Sequence, residues 1–391
     1  MSDEINKNLS AEQLDSLAEI EETAGIPAGV PAPLYTDGAR AEAEEEKIRE
    51  ERGFEVPADG DDTVYEAKEI SPIRMVIKRF FRSKLSVIGL VLIIALFLFS
   101  FLGPVVYSRW GETEVDESPG RVIATSVLRS YQGPDGKIYE VYEVKLDQYQ
   151  NNKYAYPDKD HLLGTDDKGM DIFSRLMYGG RISLMLGFIV VFMTTIIGVA
   201  LGGLAGYFGK RVDQIIMRVI DVFNCIPGLP IMLIFGVLLS AWDVPLQLRI
   251  YCLMGMMTLF GWAGTARMVR GLILSLREQD YMVAAEAMGF SAGRKIFKHL
   301  IPNVMPQLIV AMTLSLGGVI LQEAALSWLG IGVPMPYAAW GTMISMTNDS
   351  NILANYFNMW GPPGILIILA VLAFNFVGDG LRDAMDPRMK R

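Results

Sequence analysis

The sequence predicts an all-α polytopic membrane protein of six transmembrane helices with one small extracytoplasmic β-hairpin insertion. Three observations carry that expectation. Of the 391 residues, 51% are hydrophobic and the mean hydropathy is +0.30, more apolar sequence than a soluble domain of this length needs. From Leu85 onward, apolar runs of about 20 residues recur, the length an α-helix requires to cross roughly 30 Å of hydrocarbon. Between the first two runs lie two β-rich stretches, Val122–Val127 and Ile138–Val144, on either side of a Pro134-Asp135-Gly136 turn signal.

The chain opens on a region unlike the rest. Residues 1–70 carry a net charge of −14, against +5 for the remainder and −9 overall. Pro, Gly and Ala stand there in place of bulky side chains, so 1–70 reads as an acidic, largely disordered cytoplasmic tail. Such a tail is unlike the short basic start of a signal peptide, and the first apolar run is expected to be retained as an anchor.

The expected spans are 85–107, 182–207, 216–240, 250–266, 304–326 and 363–379. Their orientation follows from short-loop Lys and Arg, which favour the cytoplasm. Lys78, Arg79, Arg82 and Lys84 precede the first span, Lys210 and Arg211 follow the second, and Arg382, Arg388, Lys390 and Arg391 follow the last. The connection 267–303 carries Arg267, Arg270, Arg277, Arg294, Lys295 and Lys298, whereas 327–362 has no Lys or Arg. Both termini are therefore expected in the cytoplasm. The organisation becomes a first helix with its basic flank (71–107), an extracytoplasmic insertion and interfacial helix (108–181), a five-helix core (182–379) and a basic C-terminus (380–391).

Within the spans, Gly202 and Gly206 stand four apart, a spacing that lets helices approach closely. Pro227 and Pro230, with Gly228 between them, interrupt the third span; they are pathway candidates, with a simple kink as the alternative. Cys225 and Cys252 fall in segments running in opposite directions, at depths roughly 20 Å apart, too far for a disulfide.

The segment 278–303, EQDYMVAAEAMGFSAGRKIFKHLIPN, carries the clearest functional pattern. Tyr281, Ala284, Ala285 and Met288 share one face of a short helix, and the small alanines permit close approach to another surface. Gly289 suits a helix end needing positive φ, and a second basic helix is expected from Ser291 to His299 before Pro302 opens the next span. Two short helices held under a bundle form a shape that docks into a groove on a cytoplasmic partner.

This segment resembles the coupling segment of the permease subunits of binding-protein-dependent ATP-binding-cassette (ABC) importers. The residues that carry the resemblance are Val283-Ala284-Ala285, Gly289, Ile296 and Leu300-Ile301-Pro302, with Val283 where the family usually has glutamate and Glu286 where a basic residue is common. HLLGTDDKGMDIFSRLMYGGRISLMLGF, SWLGIGVPMPYAAWGTMIS and FNFVGDGLRDAMDPRMKR narrow it to the C-type permeases of dipeptide and oligopeptide importers; nickel and glutathione importers have similar permeases. The resemblance covers most of 72–391, leaving out 1–70 and the insertion around 111–155. It implies the ABC importer permease fold and coupling to the ATPase through Tyr281, Ala284, Ala285, Glu286, Met288 and Gly289. The implied partners are a second permease subunit, two cytoplasmic ATPase subunits that bind ATP and Mg, an extracytoplasmic substrate-binding protein and membrane lipid, with no nucleic acid. The chain itself is expected to hold no cofactor and no metal.

Other polar residues read as structural. Asp166, Asp167 and Asp171 precede a span and are ordinary cap residues rather than a cation site. Trp328 and Trp340 read as interface anchors, and His161 and His299 fall on opposite sides of the membrane. No Walker-type glycine loop, Gly-x-Ser-x-Gly elbow or His-Glu-x-x-His is present, so no catalytic site is expected. A self-sufficient channel or secondary transporter would place acids or bases at span centres, and the expected spans hold almost none, with Asp213, Asp221 and Asp379 near their inner ends. An intramembrane enzyme would need a paired nucleophile and base in the spans, which are not found.

Overall fold

In a computed structural model of the chain, residues 72–120, 122–148 and 150–386 are described. The chain divides into Met1–Glu69 and Ile70–Arg391. The acidic tail, and Arg388, Lys390 and Arg391 of the basic C-terminus, lie outside the described residues.

Among the described residues, four helices are long and apolar enough to cross a membrane: α2 (Lys84–Phe101), α3 (Ile172–Phe208), α8 (Ala292–Trp328) and α11 (Phe357–Met385), the last preceded by the short α10 (Ser350–Asn355). A bent pair, α4 (Lys210–Cys225) and α5 (Gly228–Ala241), whose axes meet at 73°, meets the same measure only when its two helices are taken together. The fourth expected span, 250–266, falls in α6 (Leu246–Arg277), 32 residues long. That helix is long enough to cross, yet with four arginines and many small residues it is not apolar enough to count by composition.

Helix ends differ from the expected spans because caps, not hydropathy, set them. α3 begins ten residues before 182, where the Asp171 carboxylate accepts from Ser174 N. α2 stops at Phe101, short of 107, ahead of the separate turn Gly103–Val106. Before α2, the amphipathic α1 (Pro72–Arg82) carries Arg79 and Arg82 in its last turn and buries Phe80 with Val377 and Ala384.

α3 packs along α6, and α2 and α8 pack against α11. The first contact is as close as the glycine spacing predicts. A Cβ on Gly202 would stand 2.3 Å from the Ala266 carbonyl oxygen, and one on Gly206 2.9 Å from that of Arg270. The central cluster joins Leu176 and Leu184 of α3, Leu316 and Ile320 of α8, and Phe374 of α11 around Trp340.

The insertion is a two-stranded antiparallel ribbon of β1 (Val122–Gln132) and β2 (Ile138–Gln148), each strand longer than its β-rich run. Its register pairs Val122 with Gln148 and Gln132 with Ile138. Gly136 holds φ at +78° in the turn.

Candidate functional site

The candidate coupling segment, 278–303, includes α7 (Asp280–Ala287). The helix ends as glycine at this position dictates: Phe290 N donates to Ala285 O (3.1 Å) and Gly289 N to Glu286 O (2.9 Å), while Gly289 takes φ +72°. This paired pattern satisfies the last carbonyls and needs a left-handed residue. The expectation of positive φ at Gly289 is met.

The shared face is divided. Ala285 is 2% exposed and turns with Met282 into the chain's own body, where Met282 packs with Val269, Ile273, Leu300 and Val304. Burying a methionine side chain stabilises by about 1.5–3 kcal/mol, so these residues anchor α7 to the ends of α6 and α8. Tyr281, Val283, Ala284 and Met288 remain exposed. The four-residue face read from spacing is corrected to Tyr281, Ala284 and Met288, because the one-turn neighbours Met282 and Ala285 are the anchoring pair. Glu286 lies beside Lys295, Oε2 to Nζ at 3.7 Å, and so has a partner within the chain.

The second basic helix is also corrected. Ser291 caps it by accepting from Arg294 N (3.5 Å), but it runs unbroken through a π-helical stretch, Lys295–Leu300, into the membrane-spanning part of α8. Pro302 does not separate them, since its missing N–H falls where the wider π turn hands over to α-helix. His299 stacks on Phe290 at 5.8 Å between centroids, and Arg294 lies 4.8 Å over the same ring.

Of the pathway candidates, Pro227 is the N-cap of α5 and carries the break, whereas Pro230 sits in the first turn, where an absent N–H costs nothing. Both are exposed, and neither lines the cavity at Met232, Arg249 and Leu253 or the apolar one at Phe192, Ile301 and Leu308. Ion pairs flank the bend: Asp213 accepts two bonds from Arg270, and Asp221 pairs with Arg267 at 2.9 Å. Cys225 and Cys252 are free thiols.

At the hairpin end, a buried polar layer ties the insertion to α3. His161 is 1% exposed; its Nδ1 lies 2.9 Å from Asp171 and its Nε2 3.2 Å from Asp116, with the ring stacked on Trp110. Asp171 is thus a cap, as read from sequence. Asp166 accepts from Lys168 N and Met170 N and faces the buried Arg175 at 3.4 Å. Burial pushes the Asp166 carboxyl above its usual range, opposed by Arg175. Burial also raises Asp116, but hydrogen bonds from Ser118, Asn152 and His161 outweigh it and hold that carboxyl well below the usual range. Arg175 reaches further, donating to Pro336 O (2.9 Å) in the loop before α9 (Trp340–Ile344). Among the described residues, no His, Cys, Asp and Glu cluster is placed to hold a metal ion.

One sequence reading fails here, and one buried acid was not singled out from the sequence. Trp340 is fully buried, its Nε1 donating to Leu176 O (2.9 Å), which excludes it as an interface anchor, whereas Trp328 is 47% exposed. Glu323, inside the expected span 304–326, is a buried acid that accepts from Ser327 Oγ (2.7 Å) and Ser183 Oγ (3.2 Å), while Ser183 also accepts from Trp340 N (3.1 Å). The only sequence signal for it was its charge within an apolar run.

Two family profiles match the chain: the binding-protein-dependent transport system inner membrane component over residues 198–391, and the N-terminal TM domain of oligopeptide transport permease C over 71–118. The oligopeptide transport system permease protein OppC of Bacillus subtilis (strain 168) is 34% identical over 85% of this chain and 95% of its own length. The chain belongs to the binding-protein-dependent transport permeases, of the oligopeptide permease C type. The dipeptide transport system permease protein DppC of Bacillus subtilis (strain 168) is a further relative of this permease, 35% identical over 80% of this chain and 85% of its own. A chain of the MetNI methionine ABC transporter in an inward-facing conformation overlays the permease with a TM-score of 0.41, at 20% identity over 54% of this chain and 97% of that one, too low to carry an argument. The permease is thus a multi-pass membrane component of a transport system.

Proposed function

We propose that this chain is the membrane subunit of an ATP-driven importer of dipeptides and oligopeptides, forming half of the translocation pathway. The observation that carries the cargo is the near-full-length similarity to relatives named for oligopeptide and dipeptide transport. The subunit couples to cytoplasmic ATPases through 278–303. Tyr281, Ala284 and Met288 are free to meet a partner, and Met282 and Ala285 hold that surface rigidly on α6 and α8. Partner ATPases bind and hydrolyse ATP with Mg; this chain supplies no catalytic group. A second permease completes the pathway, and an extracytoplasmic binding protein delivers the peptide. The bundle sits in the bacterial cytoplasmic membrane with both termini inside and the β1–β2 hairpin outside.

Closure of the ATPases moves α7, and because α7 is packed on α6 and α8, its displacement is passed into the spans and alternates access between the two sides. The test is reconstitution of the tagged chain with its three membrane-associated partners and the binding protein in proteoliposomes. Labelled tripeptide should accumulate only with ATP. Accumulation of nickel or glutathione in place of peptide would overturn the cargo, and failure to retain ATPases on the tagged chain would overturn the coupling role.

A further inference from the structure

A cavity of about 210 Å³ opens between α5, α6, the end of α8 and the loop 330–335. It is smaller than the roughly 300–1,000 Å³ of a pocket that encloses a whole small ligand, so it is sized for one end of one. Met232, Leu253 and Met256 give it an apolar wall, and Arg249 is its single charged lining residue.

The donors on its wall are nearly all spent. Ser240 donates to Gly236 O, Ser327 to Glu323, Thr342 to Val333 O and Ser345 to Thr342 O. Arg249 is different: Nε donates to Val244 O (2.9 Å) and Nη1 to Ser240 Oγ (3.1 Å), which uses two of the five N–H donors of a guanidinium. Those bonds fix the side chain in place, and no carboxylate among the described residues pairs with it. Arg175, Arg267 and Arg270, in the same bundle, each have an aspartate. An arginine in the first turn of α6, with no carboxylate partner among the described residues and fixed on a cavity wall, is a preorganised site for an anionic oxygen group.

We infer that this cavity is a subsite on the transport route for the carboxylate end of a peptide, with Arg249 binding the carboxylate and the Met232–Leu253–Met256 wall holding an apolar terminal side chain. The inference rests on the peptide cargo proposed above. A lipid headgroup phosphate offers the same anionic chemistry from another source, and the test separates the two.

The experiment uses the assembled importer in vesicles, with Cys225 and Cys252 replaced by serine and Met256→Cys as reporter. A negatively charged methanethiosulfonate reagent should label the reporter several-fold faster than a positively charged one. Arg249→Gln should erase that difference and Arg249→Lys should keep it. Trialanine should slow labelling, and trialanine amide should not. Equal labelling by both reagents, or equal protection by acid and amide, overturns the subsite. Slower labelling in anionic than in phosphatidylcholine vesicles without peptide overturns it in favour of a headgroup. Uptake of trialanine by the wild-type importer tests the cargo separately: its absence overturns the cargo and this inference together, whereas uptake without selective protection overturns this inference alone.

Discussion

The two carboxylate oxygens of Asp171 serve two elements at once: Oδ2 accepts from Ser174 N at 2.7 Å and caps α3, and Oδ1 lies 2.9 Å from His161 Nδ1. One side chain therefore starts a 37-residue apolar helix and orients the ring that holds the base of the insertion. Asp171→Ala should cost about 1 kcal/mol for the cap and a further 1–3 kcal/mol or so for the orphaned His161 nitrogen. His161→Ala spares the cap and should cost less. Thermal unfolding of the purified complex reads both; equal losses for the two variants would show that the cap contributes nothing.

Asp116 sets an acid limit on the same layer. Its carboxyl is lowered in the folded state, so its contribution is complete above the ordinary carboxylate pKa of about 4 and is lost as pH falls through the lower folded value. Asp166, raised by burial, has the opposite sign, its contribution being lost as pH rises above the ordinary range. Hydrogen-exchange protection factors of residues 112–118, corrected for the intrinsic pH dependence of amide exchange, should therefore fall in acid, and Asp116→Asn should flatten that dependence. An unchanged acid slope in the variant would exclude Asp116 as its source.

Gly289→Val should leave the protein inserted but uncouple ATP hydrolysis from transport. No atom lies within 4 Å of a Cβ built there, so the whole effect is the φ of +72°, a strain of order 1–3 kcal/mol for a β-branched residue. Glu286→Gln should be mild, because its pair with Lys295 is exposed on the glutamate side and such pairs contribute about 0–1 kcal/mol. Peptide-stimulated ATPase activity and ATPase copurification decide between them: normal coupling in the first with loss in the second would reverse the shape-based account.

Gly202→Ala should impair folding or assembly, as its Cβ would stand 2.3 Å from the Ala266 carbonyl oxygen, while Gly203→Ala, with only Ile273 Cδ1 at 3.7 Å, should be tolerated. Membrane-inserted yield and melting temperature make the comparison. Equal behaviour of the two variants would mean that α3 and α6 separate easily.

Lys137→Cys, in a background without Cys225 and Cys252, should react with an impermeant thiol reagent in intact cells. Lys137 is exposed in the hairpin turn. Labelling only after membrane disruption would invert the proposed topology.

What was legible in the sequence was what is encoded locally. The hairpin turn at Pro134–Gly136, the left-handed Gly289, the Asp171 cap and the Gly202–Gly206 spacing each act over a few residues, and each is found as read. What was missed depends on distant partners. Trp340 looked like an anchor because nothing nearby shows that Leu176 and Ser183 enclose it. Ala285 looked like a contact residue because a helical face does not say which side the bundle occupies. Glu323 gains its hydroxyl partner Ser183 from 140 positions away. The break at Pro302 was expected from proline alone, and the π turns beside it absorb the missing donor.

The unbroken α8 has a mechanical meaning. At 1.5 Å per residue its 37 residues extend about 55 Å, from the Ser291 cap at the coupling end to Ser327 on the wall of the Arg249 cavity. A rod of that length tilted by about 5° shifts its far end by about 5 Å, on the order of one helical turn. The π turns at Lys295–Leu300 lie at its base, where the wider turns depart from the regular i→i−4 ladder of the rest of the rod.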